Sequence, residues 1–221
     1  MGVEIRAPNN RIPLLIYPSR ELLCRTHLRP QEFYESPEFK GKVGFTLDEF
    51  MRWYPQSQGK TEFTYYTDWS GFNTPSECFA PFFDGKFNPL SQEENALVSF
   101  LKTVPQPFYM IATFKTHLRA CGVVRHELGH ALWRTNADYQ IAARQIVERY
   151  NPQKLFNHLI EKGYDHSVMA DEAHAQAIHC RQSAREFMPE KMINQMRALF
   201  LKSFPAEHLE IYTRGLQDEK E

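Results

Sequence analysis

The sequence predicts an α+β protein, with a small sheet and aromatic loops in the N-terminal half and a mostly helical C-terminal half. Three observations lead there. Both strand-like stretches, Glu62–Asp68 and Phe108–Phe114, are rich in β-branched and aromatic residues and precede residue 115. From Asn136 onward, apolar residues recur at helical spacing in stretches separated by proline or glycine. Between the two halves lies His126-Glu127-Leu128-Gly129-His130, where Val124, Leu128, Ala131 and Leu132 form one side of a helix and His126, His130 and Trp133 line another. A chain of 221 residues with 42% hydrophobic content is expected to form one domain, 1–221, with residues 1–45 as a wrapping segment or small lobe.

In chain order, Pro8, Pro13, Pro18, Pro30 and Pro37 interrupt the first forty residues and leave room for one short helix, Arg20 to His27. Thr46-Leu47-Asp48-Glu49 has the form of a capping box, and Leu47, Phe50, Met51 and Tyr54 follow at helical spacing, so a helix should run from Leu47 until Pro55 stops it. Glu62–Asp68 reads as a strand turning at Ser70-Gly71, and Trp69–Asn88 as an aromatic loop. Ser91-Gln92-Glu93-Glu94 is a second capping box; its helix carries Ala96, Leu97, Phe100 and Leu101 inward and ends near Val104-Pro105. Phe108–Phe114 is the strongest strand. Helices are expected over 136–150, 152–162, 167–187, 189–204 and 205–216.

Net charge is −1, with no basic stripe, which argues against nucleic acid or an anionic membrane surface as a partner. The apolar run Ile12–Tyr17 is broken by Pro13 and too short for a signal core or a membrane span, so a cytoplasmic location is the default, with non-classical export the alternative. Four cysteines, Cys24, Cys78, Cys121 and Cys180, lie far apart without CxxC pairing. This indicates reduced, buried thiols rather than a disulfide scaffold or zinc ribbon. Cys121 lies close enough to His126 to be considered as a ligand, although a small apolar role suits it better.

The chemistry concentrates at 126–130. On a helix, two histidines four residues apart lie one turn along the same face and can share one metal ion. A glutamate directly after the first can reach a metal-activated water as general base. This His-Glu-x-x-His pattern resembles the zincin metallopeptidases. That resemblance implies Zn2+ as cofactor, Glu127 as base, and Phe108–Phe114 as a sheet edge along which an extended peptide would lie.

A catalytic zinc usually takes a third protein ligand. An extended metzincin motif would need glycine and histidine where this chain has Trp133 and Asn136. The chain is instead similar to the gluzincins, in which a glutamate on a second helix completes the site; the matching stretch is Asp171-Glu172-Ala173-His174-Ala175-Gln176. The resemblance implies Glu172 as ligand. Helical geometry agrees, since Glu172, Gln176 and His179 share a stripe while His174 projects elsewhere. His179, His174 and Asp171 remain alternatives. Gluzincins commonly carry an aspartate four residues after the ligand glutamate to orient a histidine. Gln176 stands there, and it and His179 are the expected supports behind the ligands. Tyr164, His166, Tyr139 and His174 are candidate donors to a developing oxyanion, with Tyr164 and His174 foremost. Arg125 and Arg134 flank the motif and are solvated in the simplest reading.

The expected activity is zinc-dependent hydrolysis of a peptide or protein substrate. The alternatives are a non-proteolytic zinc amidohydrolase, or a binding or regulatory protein on a zincin fold. Substrate identity and oligomeric state are not legible at this level.

Overall fold

The computed structural model describes residues 2–115, 121–161, 164–179 and 185–215, with side chains of the helix that begins at Cys121 described from Val124 onward. The chain divides into two compact units, Met1–Leu118 and Arg119–Glu221.

The first unit is built on a mixed four-stranded sheet of order β1-β2-β4-β3, comprising β1 (Glu4–Arg6), β2 (Leu14–Tyr17), β3 (Gly71–Pro75) and β4 (Tyr109–Phe114). β4 pairs in parallel with β2, Leu14 opposite Ile111, and antiparallel with β3, Phe72 opposite Ala112. It is therefore an interior strand with all six residues buried, and the expectation that Phe108–Phe114 forms an exposed edge is corrected. Its unbroken apolar run already has the character of a strand covered on both faces. β1 and β3 are the edges among the described strands. Residues 1–45, irregular in sequence, supply two of the four strands and the helix that crosses the sheet.

That helix, α1 (Arg20–Glu35), is capped by Ser19 and continues through Pro30 well beyond His27. Burial of Leu23, Leu28, Arg29 and Glu32 outweighs the roughly 3 kcal/mol that an interior proline costs. Arg29 binds Glu94 through Nε at 2.7 Å and also donates to the carbonyls of Phe87 and Pro89. Glu94 in turn accepts from the backbone N–H of Ser91, so the residue that completes a capping box also holds a buried ion pair. Both capping boxes form as read, starting α2 (Leu47–Ser57) and α5 (Gln92–Leu101). Pro55 lies inside α2 rather than ending it.

Glu62–Asp68 is not a strand. Its second half is the one-turn helix α3 (Tyr65–Asp68), and the strand begins later, at Gly71. The Asp68 carboxylate collects Thr64 Oγ1 at 2.6 Å, the Tyr54 hydroxyl at 3.0 Å and Lys60 Nζ at 3.1 Å, which closes the turn. Tyr65 enters the aromatic core beside Phe50 and Phe72, so tertiary packing overrides β propensity here. The aromatic loop contains β3, a 3-10 turn (Ser76–Phe79) and the short α4 (Ala80–Phe83). Phe82 and Phe87 stack within it at 3.9 Å.

Every described element of the second unit is helical: α6 (Cys121–Thr135), α7 (Ala137–Tyr150), α8 (Gln153–Glu161), a 3-10 turn (His166–Val168), α9 (Met169–His179), α10 (Glu190–Ser203) and α11 (Ala206–Thr213). Asn136 caps α7, and Asn151 ends it in the left-handed region at φ 40°. The helix expected over 167–187 begins as the 3-10 turn, continues as α9, and from 180 to 184 lies outside the described residues. α9 is the central helix, packed against α6, α7, α8 and α10. Its Ala173, Ala175 and Ala177 are fully buried, because small side chains let neighbouring backbones approach. Among the described residues, no helix is long and apolar enough to cross a membrane. Cys24 and Cys78 are buried, whereas the side chains of Cys121 and Cys180 lie outside the described set.

Candidate metal centre

The site is assembled by α6 and α9, the most extensive helix pairing of the second unit. The approach depends on Gly129, between the two histidines. A Cβ built there would overlap Ile178 Cδ1 and lie 3.2 Å from His174 Nε2. The absent side chain lets α9 bring its acidic residues against the histidine face of α6.

On that face the helical spacing works as read: His126 Nε2 and His130 Nε2 face each other at 3.1 Å. Glu172 Oε1 lies 3.6 Å from His130 Nε2, and the three ligand atoms fall within 4.8 Å of one another. A tetrahedral ion with bonds of about 2.0–2.1 Å has ligand–ligand edges of roughly 3.3–3.4 Å, so these separations suit a metal held by two imidazoles and a carboxylate. The orientation of the rings agrees. His130 Nδ1 pairs with Asp171 Oδ1 at 2.8 Å, and His126 donates to the backbone carbonyl of Ala175. Both rings are tied back to α9, which directs their Nε2 atoms to a common point.

Electrostatics separates the two histidines. Burial lowers the His126 pKa well below its usual value, and the neighbouring His130, His179 and His174 lower it further. Burial acts the same way on His130, but the hydrogen bond and charge of Asp171 overcome it, and with Glu172 and Glu127 raise the pKa to about 9. Burial disfavours the Asp171 carboxylate, yet His130 and His174 hold its pKa well below the ordinary range. Glu127 is half-buried and close enough for its charge to act on His130.

The remaining expected residues take different places. Asp171, weighed as a ligand, stands behind His130. His174 is completely buried, stacked on Trp133 at 5.1 Å and edge-on to Tyr139 at 5.5 Å. His179 is half-buried with its ring 5.5 Å from His126. Gln176 is half-buried, while the support for the two histidines comes from Asp171 and Ala175. Tyr139 is buried; Tyr164 and His166 are exposed ahead of α9. Arg125 is half-buried and Arg134 exposed. Cys121 opens α6, but its side chain is outside the described set.

Sequence reasoning missed the role of Asp171. The signal was present in Asp171 and His174 at i and i+3, which puts a carboxylate beside an imidazole on the helix that carries the candidate ligand Glu172. No family model, curated protein or solved structure matches the chain, so the functional reading rests on this geometry.

Proposed function

We propose that the chain is a zinc-dependent metallopeptidase in which His126, His130 and Glu172 hold the metal and Glu127 is the general base. The observation that carries this reading is the convergence of two imidazole nitrogens and a carboxylate oxygen within 4.8 Å, with a further carboxylate following the first ligand. A purely structural zinc site is normally closed by four protein ligands and needs no adjacent base. Zinc bound here would supply Lewis acidity and lower the pKa of a coordinated water.

The protein groups divide the remaining work. Glu127 accepts the proton of the attacking water and returns it to the leaving amine nitrogen. Asp171 and the Ala175 carbonyl keep the imidazoles aimed at the metal. Of the two foremost oxyanion donors, Tyr164 is 41% exposed and His174 fully enclosed, which leaves Tyr164 as the candidate open to a substrate.

Glu127→Gln removes the base and keeps the shape. It should retain full zinc content by elemental analysis, while cleavage of a mixed peptide library, read by mass spectrometry, falls by about a hundredfold or more. Undiminished cleavage by this variant would reject Glu127 as the base.

A further inference from the structure

Asp171 Oδ1 sits between two imidazoles, 2.8 Å from His130 Nδ1 and 3.3 Å from His174 Nδ1. His174 Nδ1 is also 2.9 Å from the Asp171 backbone carbonyl. The other nitrogen of His174, Nε2, is buried, has no hydrogen-bond partner among the described residues, and lies above Gly129. A neutral imidazole carries one proton, and a buried N–H facing no acceptor is the costlier arrangement, so the proton belongs on Nδ1, where two acceptors face it. The ring cannot turn away easily: Trp133 stacks on it, with Arg144 5.1 Å from the Trp133 ring centroid, and Tyr139 closes its edge.

We propose that His174 is a positioning residue of the metal centre, whose Nδ1–H fixes Asp171 so that Asp171 orients His130 towards the metal. The inference rests on the metal-centre reading above and extends it one residue outward. Glu172 supplies a ligand oxygen from α9, Asp171 beside it aims His130 across on α6, and His174 one turn further holds Asp171. Without the Nδ1–H, the carboxylate loses one of the two imidazoles that hold it, and its grip on His130 loosens. Partners behind metal ligands are typically worth 10–100-fold in affinity, and a group one step further out should fall near the lower end, about tenfold.

The competing explanation is that His174 only fills space among aromatic rings, and two substitutions separate the two. His174→Phe keeps a flat ring and removes the N–H, whereas His174→Asn loses the ring and places an amide N–H where Nδ1 stood. Zinc dissociation constants of the full chain are measured by competition with a chromophoric chelator, alongside the melting temperature of the metal-free protein. Positioning requires zinc binding about tenfold weaker in H174F and close to wild type in H174N, even where H174N melts lower. H174F binding zinc as tightly as wild type, or weakening that follows melting temperature in both variants, would overturn the proposal. If H174F does not fold, His174→Gln replaces it, since its amide reaches the Nε2 position; zinc affinity in H174Q equal to that in H174N then counts against positioning. A wild-type chain that takes up no zinc would remove the metal centre itself, whereas normal wild-type binding with an indifferent H174F removes only the role of His174.

Discussion

His27, in the sheet unit, shows how far burial alone can move a single side chain. It is fully buried, with Nε2 2.9 Å from the Tyr17 hydroxyl and its ring stacked on Phe72. Burial pushes its pKa from the ordinary 6.5 down to about 3. Between those values the unfolded chain binds more protons than the folded one, so stability falls as pH falls. The contribution is complete above about 6.5 and is lost progressively towards about 3, with a limiting slope of about 1.4 kcal/mol per pH unit. Urea unfolding between pH 7 and 4.5 should show this slope. His27→Gln keeps a neutral donor near Tyr17 and should flatten it. Equal slopes in the two proteins would show that His27 does not change its protonation on unfolding. At the candidate metal centre, burial acts on His126 in the same direction, whereas an adjacent carboxylate reverses its effect on His130.

At the scale of elements, the decisive feature is the close contact of α6 with α9. Gly129→Ala introduces a methyl group where Ile178 Cδ1 and His174 Nε2 already stand. The isoleucine tip can move, but the histidine is enclosed, so α9 must shift. The expected cost is about 1–3 kcal/mol of stability, as for overpacking of a filled core, together with weaker zinc binding as Glu172 and Asp171 move away from the histidines. Combining it with Ile178→Val, which removes the nearest methyl, should recover part of the loss. Strict additivity of the two substitutions in denaturant unfolding would mean that the methyl is not what α9 meets. Close approach of these helices was foreshadowed by the alanine-rich stretch Ala173–Ala177, but the partner of each small residue was not. Elements with strong local signals, such as the two capping boxes, appeared where expected. α3 did not, because Asp68 and the aromatic core decide its conformation.

For the molecule as a whole, the proposed zinc site would link metal binding to stability. A ligand that binds only the folded state stabilises it by RT ln(1 + [L]/Kd), or about 2.7 kcal/mol at a hundredfold excess over Kd. Zinc should therefore raise the melting temperature of the chain in a concentration-dependent way, and a chelator should reverse the shift. Glu172→Ala, which removes the candidate ligand that α9 contributes, should reduce the shift strongly at equal zinc concentration. A full shift in that variant would assign the third ligand elsewhere, His179 being the nearest alternative by its position beside His126.

The sequence by itself determined the α+β class and the helical second half, which follow from strand-like composition and helical periodicity, and the pair His126 and His130 with Glu127 beside the first, which follows from spacing along a single helix. It also singled out Glu172, on one stripe of a downstream helix. Tertiary structure alone decided the rest. It placed β4 inside the sheet, since an apolar run does not specify how many strands pair with it. It carried α1 past Pro30, where packing outweighs a local penalty. It set Asp171 behind His130 and enclosed His174, because which face of α9 meets which face of α6 depends on the fit at Gly129, and no local pattern in either helix encodes that contact.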